Sequence, residues 1–221
     1  MKMILDNLWQ VGGDELTHPA DAAIYLIRFG TAAALVDAGT GHGHDQMLTN
    51  IARCLPAEVP IDYLLLTHCH FDHTGGAAAA RRIFSCRIVV HALDAAYLET
   101  GDSQVTAAAW YGERMAPLPI DLKLDQEETV LPIGSGAVTA VHWPGHSPGS
   151  VIYHTEISGQ RIVFGQDVHG PIHPALRSNE KQYQASLAKL LDLDADLLLE
   201  GHFGIYRGKT AVQKFIRSFM R

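Results

Sequence analysis

Apolar residues in this chain come mostly in short runs rich in Val, Ile, Leu and Ala, separated by polar or Gly-containing breaks. Runs of that length bounded by turn residues read as buried strands. They predict strands at 23–29, 33–37, 63–67, 87–90, 138–141, 151–154, 161–164 and 197–200. Between them, apolar residues recur at helical spacing over 45–54, 76–84, 180–191 and 209–219. The last of these places Val212, Phe215, Ile216 and Phe219 on one face, the pattern of a terminal helix docking on a core. Strands alternating with helices, without a repeat or a linker, predict one layered α/β domain over 1–221.

Several of these strands run straight into polar residues. Ala34-Leu35-Val36 leads into Asp37-Ala38-Gly39, and Leu64-Leu65-Leu66 into Thr67-His68. Ile162-Val163-Phe164 leads into Gly165-Gln166-Asp167, and Leu197-Leu198-Leu199 into Glu200-Gly201-His202. Such endings arise when several strands deliver functional side chains to one edge of a sheet, where rigid elements fix a site better than loops do. From 94 to 125 the pattern weakens into Ala-rich stretches, Trp110-Tyr111-Gly112 and two prolines. That segment reads equally as a lid carrying Trp110 and Tyr111 over a pocket and as a plain connector.

Composition narrows the function classes. No apolar run reaches the roughly 20 residues of a membrane span, so no membrane role is expected. The net charge of −7, with only Arg81 and Arg82 adjacent among the basic residues, gives no stripe for nucleic acid. A small-molecule substrate is the remaining expectation, and nothing in the pattern addresses oligomeric state. Three cysteines at unrelated spacings suggest a reducing compartment, and Asp6 interrupts any apolar leader; the expected location is the cytoplasm.

The chain carries 13 histidines, three of them in Thr67-His68-Cys69-His70-Phe71-Asp72-His73-Thr74-Gly75-Gly76. So many polar groups at the end of an apolar strand are costly without a ligand to satisfy them. His68 and His70, two apart in an extended segment, project to one side; Asp72 and His73 follow at the turn. Imidazole with carboxylate suits zinc, and also iron or manganese. Gly75-Gly76 is read as letting the backbone pass close beside a metal. Cys69 alternates away from its neighbours and reads as a packed residue.

His-x-His-x-Asp-His after an apolar strand resembles the defining motif of the metallo-β-lactamase superfamily. The family's other motifs follow in order: Leu35-Val36-Asp37-Ala38-Gly39, Pro144-Gly145-His146-Ser147-Pro148-Gly149-Ser150, Gly165-Gln166-Asp167 and Glu200-Gly201-His202. The resemblance implies an αβ/βα four-layer sandwich, two facing mixed β-sheets flanked by helices. It further implies two divalent metal ions per chain, with zinc favoured. One would be held by His68, His70, His146 and Asp167, the other by Asp72, His73, His202 and the bridging Asp167. Asp37 would support these ligands from behind, and Asp72 would also orient the nucleophile and handle its proton.

The full ligand set looks more like the glyoxalase II and lactonase branches than like true β-lactamases. It implies hydrolysis of a small ester, thioester or lactone by a metal-activated water. The persulfide dioxygenases of the same fold remain the alternative, with one iron on His68, His146 and Asp167. β-Lactam hydrolysis and metal binding without catalysis are weaker readings. His169 and His173 follow Asp167 closely and read equally as pocket lining or as loop residues. His18, His42, His44, His91, His142 and His154 read as ordinary hydrogen-bonded core or surface residues.

Overall fold

The computed structural model describes every residue except Gln166, so that member of the Gly165-Gln166-Asp167 segment lies outside the described residues. Among the described residues, thirteen strands form two facing mixed sheets with helices on both outer faces, the four-layer sandwich expected. The first sheet runs β1 (Lys2–Leu5), β2 (Leu8–Gly12), β3 (Ile24–Phe29), β4 (Ala32–Val36), β5 (Ile61–Leu65), β6 (Arg87–His91), β7 (Leu122–Leu124). It is antiparallel through β4 and parallel from β4 to β7. The second contains β8 (Glu128–Ile133), β9 (Gly136–His142), β10 (Val151–Ile157), β11 (Gln160–Phe164), β12 (Leu197–Leu199) and β13 (Ile205–Arg207). Its spatial order is β13-β12-β11-β10-β9-β8, and only the β11–β12 pair is parallel.

Strand periodicity explains why the central runs are apolar at every position. Along β4, Ala34 and Val36 face the second sheet while Ala33 and Leu35 face the helices. On β11, Ile162 and Phe164 point between the sheets and Val163 points outward; Leu197, Leu198 and Leu199 of β12 repeat that alternation. A strand covered on both faces has no polar position to reveal its period. Outside the first sheet lie α1 (His44–Ala52), α2 (Phe71–Thr74), α3 (Ala77–Phe84) and α4 (Ala92–Thr100). Outside the second lie α5 (Glu180–Asp192) and α6 (Lys209–Arg217), the latter docking through Val212, Phe215 and Ile216. Among the described residues, no helix is long and apolar enough to cross a membrane.

Two buried tyrosines tie the sheets together at the edge where the polar endings gather. Tyr25 of β3 donates to the Glu200 carbonyl at 2.9 Å, just past β12. Tyr153 of β10 donates to the Leu66 carbonyl, also at 2.9 Å, just past β5. Each reaches from its own sheet to a strand end of the other, so burial of a large ring and satisfaction of a frayed carbonyl are achieved by one side chain.

The segment from 94 to 125 is neither a free lid nor a bare connector. It begins within α4, and Val105, Ala108, Met115 and Leu118 are built into the core beneath it. Only its tip, a 3-10 turn at Ala108–Tyr111, presents Trp110 and Tyr111 to solvent. The reading of Gly75-Gly76 needs correction. A Cβ on Gly75 would stand 2.3 Å from the Thr40 carbonyl oxygen, and one on Gly76 2.3 Å from that of Ala38. The close approach that requires these glycines is to the backbone after β4, not to a metal.

Candidate metal centre

The ends of β4, β5, β11 and β12 and the loops around them meet at one edge of the sandwich. They bring together two groups of side chains whose nitrogen and oxygen atoms lie within 4.8 Å of one another: His68, His70, His146 and Asp167, and Asp72, His73 and His202. All are buried except His202, whose side chain is 31% exposed. Asp167 stands between the groups. Its Oδ2 is 3.2 Å from Nε2 of His146 and 3.7 Å from Nε2 of His68. Its Oδ1 is 3.2 Å from Nε2 of His73 and 3.3 Å from Nε2 of His202. The Asp167 backbone has a positive φ of 47°, a strained choice for a residue other than Gly, Asn or Asp.

Whether these residues fit a cation can be judged from their unsatisfied atoms. His68 Nε2, His70 Nε2, His73 Nε2 and Asp167 Oδ1 are buried without a hydrogen-bond partner. Nδ1 of His70 faces Nε2 of His146 at 2.9 Å. Tetrahedral zinc with bonds of about 2.0 Å has ligand atoms about 3.3 Å apart, so the spacings of the first group are those of a coordination shell. The residues fit divalent metal.

The hydrogen bonds behind the ligands set their tautomers. His73 Nδ1 bonds Asp37 Oδ2 at 2.6 Å, and Thr67 Oγ1 donates to the same oxygen at 2.8 Å. The Thr67 oxygen then meets His68 Nδ1 at 3.0 Å, while His146 Nδ1 donates to the Pro171 carbonyl at 2.9 Å. In His68 and His146 the outer nitrogen carries the proton and Nε2 is left bare toward the centre; at His73 the bond to Asp37 keeps a proton on Nδ1. Asp37 therefore stands behind the His73 ring and, through Thr67, behind that of His68.

Three further buried carboxylates hold the surrounding loops; Glu200 stands in the last of the motifs read from the sequence, while Asp21 and Asp94 were missed as functional parts. Asp94 accepts from the Cys69 amide at 2.9 Å, the Gly149 amide at 2.6 Å and the Ser147 hydroxyl at 2.6 Å, joining the two loops that carry His70 and His146. Glu200 binds His169 Nδ1 at 2.7 Å and the amides of His202 and Phe203. Asp21 accepts from the Thr40 amide and the hydroxyls of Thr40 and Thr17. The available signal was the aspartate after β6, another polar residue following an apolar strand.

Electrostatics divide the two groups. Burial, then the neighbouring imidazoles, push His68 well below the usual histidine range; burial and then His146 hold His70 at about 3. These rings are neutral and ready to ligate. At His73 burial opposes the charge, but Asp167, Asp72 and Asp37 outweigh it and raise the pKa. At His202 burial is likewise outweighed, by the carboxylates of Asp167 and Asp72 beside it, and its pKa rises to about 10. The carboxylate of Asp167 is held well below its ordinary range: burial opposes its charge, but His73 and the other imidazoles around it prevail.

Over the centre lies a cavity of about 240 Å³ lined by His70, Asp72, Asp167 and His202 beneath, with Ala107, Trp110, Tyr111, His169, Pro171 and Leu176 around it. Trp110, Tyr111 and His169 thus line the pocket. His173 does not; it packs edge-on against Trp110 at the rim, ring centroids 5.3 Å apart. Tyr111 shares the cavity lining with Asp72, and burial followed by the Asp72 charge raises its pKa.

The remaining histidines mostly have local roles. His91 caps α4 and stacks on His142 at 3.9 Å, His142 bonds the Pro148 carbonyl, and His18 accepts from the Ala20 amide. His42 meets Glu113 at 3.5 Å, and His154 lies half-buried on β10. His44 differs from expectation, being half-buried with neither ring nitrogen partnered. Cys69 is a buried free thiol, packed in the core.

Comparison with known proteins agrees with this architecture. The profile of the metallo-beta-lactamase superfamily matches residues 19–202, and the chain belongs to that superfamily, whose members bind divalent metals. Acyl-coenzyme A thioesterase MBLAC2 of Gallus gallus is 29% identical over 214 residues, covering 84% of this chain and 73% of the relative. A probable metallo-hydrolase of Methanocaldococcus jannaschii is 28% identical over 146 residues, covering 65% and 68%. Among solved structures, a B3 metallo-β-lactamase with an active-site glutamic acid superposes with a TM-score of 0.81 at 22% identity, covering 99% of this chain and 87% of that one. The B3 enzyme BJP-1 of Bradyrhizobium japonicum gives 0.78 at 21%, covering 98% and 89%. At those identities the likeness is one of fold.

Proposed function

We propose that this protein is a dinuclear metal-dependent hydrolase of small esters, thioesters or lactones. The observation that carries the reading is the position of Asp167, whose two oxygens face different groups of ligands, Oδ2 toward His68 and His146 and Oδ1 toward His73 and His202. A carboxylate so placed is the natural bridge between two cations. His68, His70 and His146 would hold the first with Asp167, and Asp72, His73 and His202 the second. Two divalent ions, zinc being the best match to this nitrogen-rich set, supply Lewis acidity and a water of lowered pKa.

The chain's own residues do the rest. Asp37 and the Pro171 carbonyl keep the ligand imidazoles in the metal-binding tautomer. Asp72, at the floor of the pocket and 3.1 Å from His202, orients the attacking water and accepts its proton. Trp110, Leu176 and Pro171 wall the cavity against solvent beside the reacting bond. The thioester arm of the substrate class has support from the avian thioesterase relative.

The test is a hydrolysis screen over esters, thioesters, lactones and a chromogenic cephalosporin, with metal content measured in parallel. Turnover of an ester, thioester or lactone with two ions per chain is the expected result. A single iron, with oxygen uptake on a persulfide, would replace this reading by the dioxygenase one, to which Asp72, His73 and His202 contribute no ligand.

A further inference from the structure

Tyr111 sits where packing alone does not ask for a tyrosine. Its ring leans on Phe71, centroids 5.7 Å apart, yet the residue remains 41% exposed. Phenylalanine would make the same ring contact. The hydroxyl is the part left to explain, and the residue shares the lining of the pocket with the Asp72 carboxylate.

We propose that the Tyr111 hydroxyl binds the carbonyl oxygen of the scissile bond and donates a hydrogen bond that strengthens as that oxygen gains negative charge. The inference rests on the hydrolase reading above and names one more residue in contact with the substrate. Three observations carry it. Apart from the residues of the two ligand groups, the lining side chains that bear a donor are Trp110, Tyr111 and His169. Trp110 leans on His173 at the rim, and His169 clusters with Asp167 and Glu200, its Nδ1 occupied by Glu200. Tyr111 is left as the uncommitted donor, its ring against Phe71, the residue before Asp72.

The hydroxyl is also held in place. The Phe71 amide donates to the Thr106 carbonyl at 2.7 Å, fastening the segment to the ligand loop. Thr106 and Ala108 are fully buried, and left-handed residues Ala107 and Gly112 bracket the turn that carries the tyrosine. A donor on such a mount is preorganised, which is what makes stabilisation of developing charge effective. Finally, Asp72, which shares the lining with it, is a carboxylate that a cation would claim. With Asp72 so held, the phenol proton is left for an oxygen that enters the pocket, and in the reaction that oxygen belongs to the substrate carbonyl. As water adds to the carbonyl carbon, the C=O π pair moves onto this oxygen; Tyr111 keeps its proton and shares it through the hydrogen bond until the leaving group departs.

Tyr111→Phe and Tyr111→Ala, both metal-loaded, test the proposal with two readouts: steady-state kinetics on the best ester substrate and calorimetric binding of an alkyl phosphonate monoester, a mimic of the charged tetrahedral state. Removing one oxyanion donor typically costs about 10²-fold in kcat. Tyr111→Phe should lose about that factor in kcat with little change in KM and unchanged metal content, and should bind the phosphonate correspondingly more weakly. Tyr111→Ala should do no worse than a few-fold beyond Tyr111→Phe. A Tyr111→Phe variant with wild-type kcat and wild-type phosphonate affinity overturns the proposal, as does wild-type protein that fails to bind the phosphonate. If wild type binds it and Tyr111→Phe does not, yet no ester, thioester or lactone is turned over, Tyr111 is a donor to bound anions only, and its role at a scissile carbonyl is overturned together with the hydrolase reading.

Discussion

Oδ2 of Asp37 lies 2.6 Å from Nδ1 of His73 and, through the Thr67 hydroxyl, is also linked to Nδ1 of His68. One carboxylate therefore sets the tautomer of an imidazole in each ligand group. Asp37→Asn keeps the shape but puts an amide where a charged acceptor stood, so both rings lose the partner that fixes their bare Nε2. Metal affinity should fall about 10- to 100-fold, the range for lost supporting partners. Competition against a chelating indicator measures it, with circular dichroism to verify the fold. Undiminished affinity would mean that the ligand loops orient their own imidazoles.

Asp94 is expected to matter first for stability. Asp94→Ala would leave two buried amides without their acceptor, while the Ser147 hydroxyl keeps Ser150 as a partner. Each unsatisfied group costs about 1–3 kcal/mol, so the loss should be at least about 2 kcal/mol. A urea midpoint within error of wild type would show that other groups or water replace the carboxylate easily.

The pattern of what could be read from the sequence follows from burial. The central strands and the helices α1, α3, α5 and α6 were legible because their apolar runs and spacings are undiluted. The strands that escaped were β2 and the four sheet edges, β1, β7, β8 and β13. Edges carry mixed polarity and tolerate residues a central strand excludes: β8 holds Pro132 and an exposed Val130. Helix α4 was hidden by inverted polarity, with Asp94 fully buried and Leu93 half exposed. At the candidate metal centre, the residues that the fold brings together in two groups were legible from motif order. The carboxylates that brace the loops were not, because Asp21 and Asp94 acquire their partners only through tertiary contact.

His91 offers a pH test away from the metal centre. Burial, then the stacked His142, lower its pKa to about 4, with Asp125 opposing. Above the ordinary value of about 6.5 the ring is neutral in both folded and unfolded chains, so it contributes nothing. Between about 6.5 and 4 the unfolded chain takes up a proton that the folded one refuses, so stability falls as pH drops, by at most about 1.4 kcal/mol per unit. His91→Asn keeps an acceptor to cap α4 and cannot titrate. Its urea midpoint should fall less than that of wild type between pH 7 and pH 5. Parallel losses would assign the acid sensitivity to other groups.

The two-ion reading predicts ions of unequal tenacity. His68, His70, His146 and Asp167 are all buried, and the imidazoles of His68 and His70 are already neutral. The second group includes His202, which is partly exposed and must give up a firmly held proton before it can ligate. Both differences weaken the second ion relative to the first: one admits water and chelator, the other sets a proton in competition with metal. Wild-type protein loaded to two ions should therefore lose them to a chelator in two phases. His202→Ala should remove the fast phase and leave about one tightly held ion. His70→Ala should instead weaken the slow phase, since it takes a ligand from the buried group. Metal analysis at intervals through dialysis follows both. A single phase with one ion per chain in replete wild type, unaffected by His202→Ala, would end the dinuclear reading and leave a mononuclear centre on His68, His146 and Asp167.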